Sequence, residues 1–301
     1  MNLLITGAWS ESKKYLDVFK LYGANVYFMQ NENDKLPLDS NNVEAVICNN
    51  LFNFHDINSF GNLKYVQLLS AGLDRFPIEK AKGKKITIET ASNIYSIPIS
   101  EHIILGLLSI YRNYMFFKRN QIAKNWEKNR EMIELYGKRV MIFGCGSVGL
   151  ECAKKLQSFG CFVIGIDITN KNSTFFNEMV LMSNFKTTLL NNVDIVISAL
   201  PLNKTTLHFF DNTFFNEMKN QSIFINISRG QVTKEKDLIT ALKGKLLGAV
   251  LDVFENEPLD KNSELWNMDN VFLTPHNSFI GDGNNQRLAD LILSNFEKFY
   301  L

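Results

Sequence analysis

The chain has 301 residues, of which 46% are hydrophobic and 21% charged, with a formal net charge of +1. That length buries a substantial core, as two ordinary domains or one large one, without disulfide or metal staples. The near-neutral balance argues against a nucleic-acid partner, which calls for a basic domain or stripe, and against electrostatic docking on a membrane.

In chain order, Leu3–Thr6 reads as a short strand. Ser10 is placed to cap a helix with Tyr15, Val18, Phe19 and Tyr22 on one face, stopped by Gly23. Val26–Met29, Val43–Cys48, Tyr65–Leu69 and Ile86–Glu89 are further strand candidates. No hairpin series interrupts them, and strands alternating with helices predict a parallel α/β sheet. Pro98 and Ser100-Glu101 open a long apolar helix to about Arg112. Its most apolar run, Ile103–Ile110, is far too short to span a bilayer. The basic stretch Lys118–Arg139, with Trp126 inside it, reads as surface helix and loop leading to a second sheet. That sheet's candidates are Val140–Phe143, Phe162–Ile166, Ile195–Ala199, Ile223–Ile227, Gly248–Leu251 and Val271–Thr274. The final segment, Arg287–Tyr300, puts Leu288, Leu291, Ile292, Phe296 and Phe299 on one helical face.

Cys48, Cys145, Cys152 and Cys161 form no CxxC pair and have no histidine at zinc-ligand spacing. They read as buried small hydrophobes, and no metal is expected. Met1–Ser10 has neither a basic n-region nor a cleavable apolar stretch, so the expectation is a cytoplasmic protein.

Gly144-Cys145-Gly146-Ser147-Val148-Gly149 matches GxGxxG. The pattern is weak alone and gains weight from its surroundings. An apolar strand ends at Gly144, a helical stripe of Val148, Cys152, Leu156 and Phe159 follows, and Gly160 closes the helix. A second strand then ends at Asp167, 18 residues past Gly149, where the fingerprint needs an acidic residue. Glycines allow a tight turn and close approach of backbone to a pyrophosphate, and the helix N-terminus supplies N–H groups and partial positive charge. Asp167 can accept from a ribose diol and would repel a 2′-phosphate, which favours NAD over NADP; nearby Lys171 keeps NADP open.

The later strands end in chemistry. Leu200-Pro201-Leu202, with Thr205 and Thr206, follows one; Ser228-Arg229-Gly230 the next; then Asp252 and Glu257-Pro258; then Pro275-His276. Ligands of open α/β sheets bind outside the carboxyl ends of the strands, so Arg229, Glu257 and His276 are predicted to converge beside the dinucleotide. Arg229 offers a rigid charged fork to a carboxylate or a polarised carbonyl. His276 can exchange a proton near neutral pH, and Glu257 beside it favours the imidazolium. This set suits reduction of a ketone, where an alkoxide must be protonated. His55 and His208 lie in polar loops without a recognisable partner, and His102 reads as structural.

The chain resembles the D-2-hydroxyacid dehydrogenases, also called D-isomer-specific dehydrogenases. The likeness rests on Leu69-Ser70-Ala71-Gly72-Leu73-Asp74, Ser100-Glu101-His102, the GxGxxG segment and Leu200-Pro201-Leu202. It continues through Asn226–Gly230, Gly248–Phe254 with Glu257-Pro258, and Thr274-Pro275-His276, in the family's order. The resemblance implies a catalytic set of Arg229, Glu257 and His276, with Ser70, Ala71 and Gly72 also binding the substrate. It implies cofactor contacts at Gly144, Gly146, Ser147, Val148, Gly149, Asp167, Leu200, Pro201, Thr206, Ile227 and Asp252.

It further implies a flavodoxin-like parallel α/β substrate domain over 1–96, completed by 279–301, and a Rossmann-type NAD-binding domain over 97–278, paired as a homodimer. The implied activity is hydride transfer between NAD(H) and a small 2-keto or D-2-hydroxy acid of the hydroxypyruvate, glyoxylate or 3-phosphoglycerate type. The alternative is an NAD-sensing, corepressor-like binding protein on the same fold. Asn277–Gly283 departs from the smaller, more apolar segment of many members, so it is expected to set substrate preference together with Ser70–Gly72 and Arg75.

Overall fold

The computed structural model describes residues 1–73 and 76–300; Asp74, Leu301 and Arg75, one of the expected specificity residues, lie outside the described residues. The chain divides into two compact units, 1–95 with 281–301, and 96–280.

In the first unit the described strands are β1 (Asn2–Thr6), β2 (Asn25–Met29), β3 (Ala45–Cys48), β4 (Tyr65–Leu68) and β5 (Thr87–Glu89), all parallel in the order β2-β1-β3-β4-β5. Short helices α1 (Leu16–Leu21), α2 (Leu51–Phe54) and α3 (Ile78–Ala81) connect them. Side chains alternate between the two faces of a strand, and each face here is covered. Leu3, Ile5, Ala45, Ile47 and Tyr65 face one core, while Leu4, Val46 and Val66 face the other. Helix α1 starts later than Ser10 would place it. Trp9 is buried, and turn bonds from Trp9 N–H to Thr6 and from Ser12 N–H to Trp9 hold the chain in tight turns there.

The second unit opens with α4 (Ser96–Tyr111) and α5 (Tyr114–Ala123). There follow β6 (Arg139–Phe143), α6 (Ser147–Ser158), β7 (Phe162–Asp167), β8 (Glu178–Leu181), β9 (Ile195–Ser198) and α7 (Asn212–Glu217). Next come β10 (Ile223–Asn226), α8 (Glu235–Leu242), β11 (Gly248–Leu251) and β12 (Val271–Leu273). The sheet order is β12-β11-β10-β9-β6-β7-β8, every pair parallel. This is the doubly wound arrangement, with strand order reversing between β6 and β9. One face carries an apolar core in which Phe210 packs edge to face with Phe143 and Phe214 and tilted against Phe224. Strand β8 has no counterpart among the sequence candidates; Glu178-Met179-Val180-Leu181 is a short edge strand whose two ends are exposed.

The last helix, α9 (Asn284–Tyr300), returns to the first sheet, burying Leu288, Ala289, Ile292 and Phe296 among Leu3, Ile5, Phe19 and Tyr65. The Phe296 ring lies 4.9 Å from Phe19, edge on. Truncating so deeply buried an aromatic costs about 3–5 kcal/mol, which makes α9 part of the first unit's core.

Candidate active site

The glycine-rich turn sits between the end of β6 and the start of α6. Gly144 takes φ +91°, and a Cβ there would come within 2.5 Å of Ala199 O, so only glycine allows this turn to pass so close to the end of β9. A Cβ on Gly149 would strike Gly144 O, which brings the first turn of α6 tight against the loop. Gly146 is the exception: a Cβ there meets nothing within 4 Å. Its lack of a side chain therefore serves no internal contact and leaves open space in front of the α6 N-terminus. Ser147 and Val148 form the first turn of that helix. The open cradle, the helix end and the acid behind them fit a dinucleotide pyrophosphate and its ribose.

Asp167 ends β7 and lies beside this turn. Its Oδ2 accepts from Cys145 N–H at 2.8 Å and its Oδ1 from Thr169 N–H at 3.1 Å. Burial, with the Asp167 charge adding to it, pushes the Cys145 thiol up to about 12, so this cysteine packs and does not react near neutral pH. Leu200 and Ile227 are buried at the neighbouring strand ends. The Thr206 hydroxyl is used within its own loop, donating to Pro201 O at 2.6 Å and accepting from Asn203 N–H at 2.8 Å.

The turn carrying Arg229 is held by Asn226, the last residue of β10, which is 1% exposed. Asn226 Nδ2 donates to Arg229 O at 3.0 Å and to Thr233 Oγ1 at 3.1 Å; its Oδ1 accepts from Ser228 N–H and Oγ at 3.1 and 2.9 Å. The two hydroxyls of Ser228 and Ser198 lie 3.0 Å apart. Arg229 Nη1 donates to Ser228 O at 2.7 Å. Gly230 has no room for a Cβ because the Phe254 carbonyl occupies that space, so the Arg229 turn abuts the segment after β11.

That segment carries Glu257. Its Oε1 accepts from Phe254 N–H at 3.1 Å, and its Oε2 lies 2.8 Å from His276 Nδ1. His276 sits beyond β12 with φ +51°, its N–H bonded to Asp252 O at 2.7 Å. The left-handed backbone is held by Asp252, whose side chain is 0% exposed. Asp252 Oδ1 accepts from Thr274 Oγ1 at 2.6 Å and Asn277 N–H at 2.7 Å, and Oδ2 accepts from Ser278 N–H at 3.0 Å. Asp252, expected at the cofactor, thus also holds the loop that presents His276. Thr274 Oγ1 also meets His102 Nε2 at 3.0 Å, and burial holds the His102 ring below the ordinary imidazole range, with Asp252 partly opposing. His102 is structural, tying α4 to this loop.

Ser70, Ala71 and Gly72 belong to the other unit, at the end of β4. Ser70 Oγ donates to Gly72 O at 2.8 Å, Ser70 O accepts from Ala91 N–H at 2.9 Å, and Tyr95 OH donates to Leu69 O at 2.6 Å. Lys64 is spent on Glu44, 2.8 Å away. His55 and His208 do have partners. His55 Nε2 meets Glu32 O at 3.0 Å, and His208 Nε2 lies 2.7 Å from Glu255 Oε1. Sequence reasoning missed Asn226, whose signal was a polar residue closing an otherwise apolar strand, and Glu255, for which distance along the chain from His208 left no signal.

Residues 104–278 match the family described as D-isomer specific 2-hydroxyacid dehydrogenase, NAD binding domain. A glyoxylate/hydroxypyruvate reductase A of Arabidopsis thaliana is 31% identical over 250 residues, covering 81% of this chain and 77% of the relative. Among solved structures, a D-isomer specific 2-hydroxyacid dehydrogenase family protein of Aeromonas salmonicida superposes with a TM-score of 0.84 at 26% identity, over 99% of this chain and 94% of that one. One from Xanthobacter autotrophicus, in complex with NADPH and MES, gives 0.82 at 26% identity, with the same coverage of 99% and 94%. The pairing of a glycine-lined dinucleotide cradle with strand-end Arg, Glu and His is accompanied by a family match over more than half of the chain, and the chain belongs to the D-isomer specific 2-hydroxyacid dehydrogenases, NAD-binding oxidoreductases of 2-hydroxy acids.

Proposed function

We propose that this enzyme reduces a small 2-keto acid of the glyoxylate or hydroxypyruvate type to the corresponding 2-hydroxy acid, the D isomer where the product is chiral, with His276 as the general acid. The observation that carries this reading is the 2.8 Å bond between His276 Nδ1 and Glu257, on a backbone turn pinned by buried Asp252. With Nδ1 committed to the carboxylate, Nε2 is the atom left to give a proton to the substrate oxygen. Glu257 fixes the ring's orientation and tautomer. Arg229 binds the substrate carboxylate or the polarised carbonyl oxygen. Ser70–Gly72 present backbone N–H groups to the carboxylate. Bound NADH supplies the hydride; the chain's own residues bind, orient and protonate. Asp167 favours NADH, and the NADPH in a related solved structure makes both coenzymes part of the test.

The Arabidopsis relative's name, glyoxylate/hydroxypyruvate reductase, supports the substrate class. We place the domain boundaries near residues 96 and 279 and the self-association through the second unit. Leu105, Ile122 and Trp126 are 55%, 72% and 95% exposed there, an apolar surface suited to a second copy. The experiment is NADH and NADPH oxidation followed at 340 nm with glyoxylate, hydroxypyruvate, pyruvate and 3-phosphohydroxypyruvate. Intact coenzyme binding without turnover on any of them refutes the proposal and favours a sensing role.

A further inference from the structure

The segment after β11 carries two carboxylates, and each meets a histidine from a different loop. Glu257 pairs with His276 at 2.8 Å, and Glu255 pairs with His208 at 2.7 Å. Both histidines have φ +51°, a backbone conformation that costs a non-glycine residue energy and needs support. His208 lies in the loop that starts with Leu200 and Pro201, and its N–H donates to Gln231 O at 2.9 Å, two residues beyond Arg229. Glu255 in turn accepts at Oε2 from Glu235 N–H at 3.1 Å, and Glu255 N–H points to Glu235 Oε2 at 3.4 Å.

We propose that His208 is a positioning residue for the proton-transfer pair: through Glu255 it clamps the 253–257 segment, and thereby Glu257. This rests on the functional reading of His276 and Glu257 above. Glu255 faces Glu235 at the start of α8, whose carboxyl is held above the usual range by burial, with the hydrogen bond from Glu255 N–H opposing and the Glu255 charge adding to it. Lys234 is turned to Asp237 at 3.3 Å, and Asp211 caps α7 through Phe214 N–H. His208 is the side chain that the structure places on Glu255 Oε1. Glu257 is two residues along and bonded to Phe254 N–H, so slack in 253–257 reaches it directly.

The test uses two variants of the whole enzyme. His208→Asn keeps a residue that tolerates the left-handed backbone, and Glu255→Gln keeps the shape while removing the charge. Amide hydrogen exchange is read over 253–257. For a half-exposed pair the expected effect is about twofold to fivefold faster exchange in either variant and no greater loss in the double variant. In parallel, kcat falls by the same factor, while the NADH dissociation constant stays within about twofold. Unchanged exchange in both variants overturns the proposal. So does faster exchange with kcat unchanged, which is the mark of packing that does not reach Glu257. Exchange is read without turnover, so wild-type inactivity on every keto acid would refute the functional reading while the clamp is still decided.

Discussion

Asp252→Asn isolates what the buried carboxylate does for the catalytic loop. Asparagine keeps one oxygen in place for Thr274 Oγ1 and Asn277 N–H, but its amide nitrogen then faces Ser278 N–H, donor against donor. Ser278 is 5% exposed, so water does not repair the loss. An unpaired buried N–H costs about 1–3 kcal/mol, and the two retained bonds weaken because bonds to a charged acceptor are worth about 1.5–3 kcal/mol against about 1 for neutral ones. Relief of the buried charge's desolvation trims the sum, to about 2–4 kcal/mol. The turn that slackens is the one holding His276 at φ +51°, and a misplacement of about 1 Å in a catalytic group costs about a hundredfold. The expected outcome is therefore a lower urea midpoint at unchanged m-value together with a kcat reduced about a hundredfold. Stability within about 0.5 kcal/mol of wild type, with turnover within about twofold, would show that Asp252 does not hold the loop.

Other outcomes follow from the same geometry. His276→Asn, which accepts the left-handed backbone, should leave NADH fluorescence titrations near wild type and lower kcat by about 10²–10⁴; an unchanged kcat removes His276 as the acid. Gly146→Ala should leave the unfolding midpoint unchanged, because nothing lies within 4 Å, yet weaken NADH binding by about tenfold or more; Gly149→Ala should instead destabilise the apoprotein through the clash with Gly144 O. Asp167→Ala should lower the NADH-to-NADPH preference in kcat/KM, and a constant ratio would refute the ribose role. His102 is held below its ordinary value of 6.5 by burial, so the unfolded chain binds that proton more readily than the folded one. Stability is then lost as pH falls from about 6.5 through the lower folded value, and His102→Gln should flatten that part of the urea-midpoint profile.

Much of this was legible in the chain itself, for reasons that differ between elements. The buried strands of both sheets announce themselves because each face is covered and the residues are almost uniformly β-branched or apolar. The strand ends were legible because glycine, arginine and histidine stand directly after such runs. Edge strand β8 was not, since Glu178 and Leu181 are exposed and the run has no period of its own. The start of α1 was misjudged because burial of Trp9, a tertiary effect, overrides the capping preference of Ser10. Asp252 could be seen to stand at a strand end, but its commitment to Thr274, Asn277 and Ser278 depends on where β12 pairs. The Glu255–His208 bond is invisible for the same reason: only the folded sheet brings those two loops together.

The return of α9 to the first sheet also has a consequence for how the chain is made. Leu3, Ile5, Ala45 and Tyr65 leave the ribosome before the second unit, but Leu288, Ile292 and Phe296, which cover them, are translated only after it. The second unit, 96–280, is continuous in sequence and can close its core while synthesis proceeds. The first must wait with one apolar face bare, which makes nascent chains halted before α9 the species most in need of a chaperone.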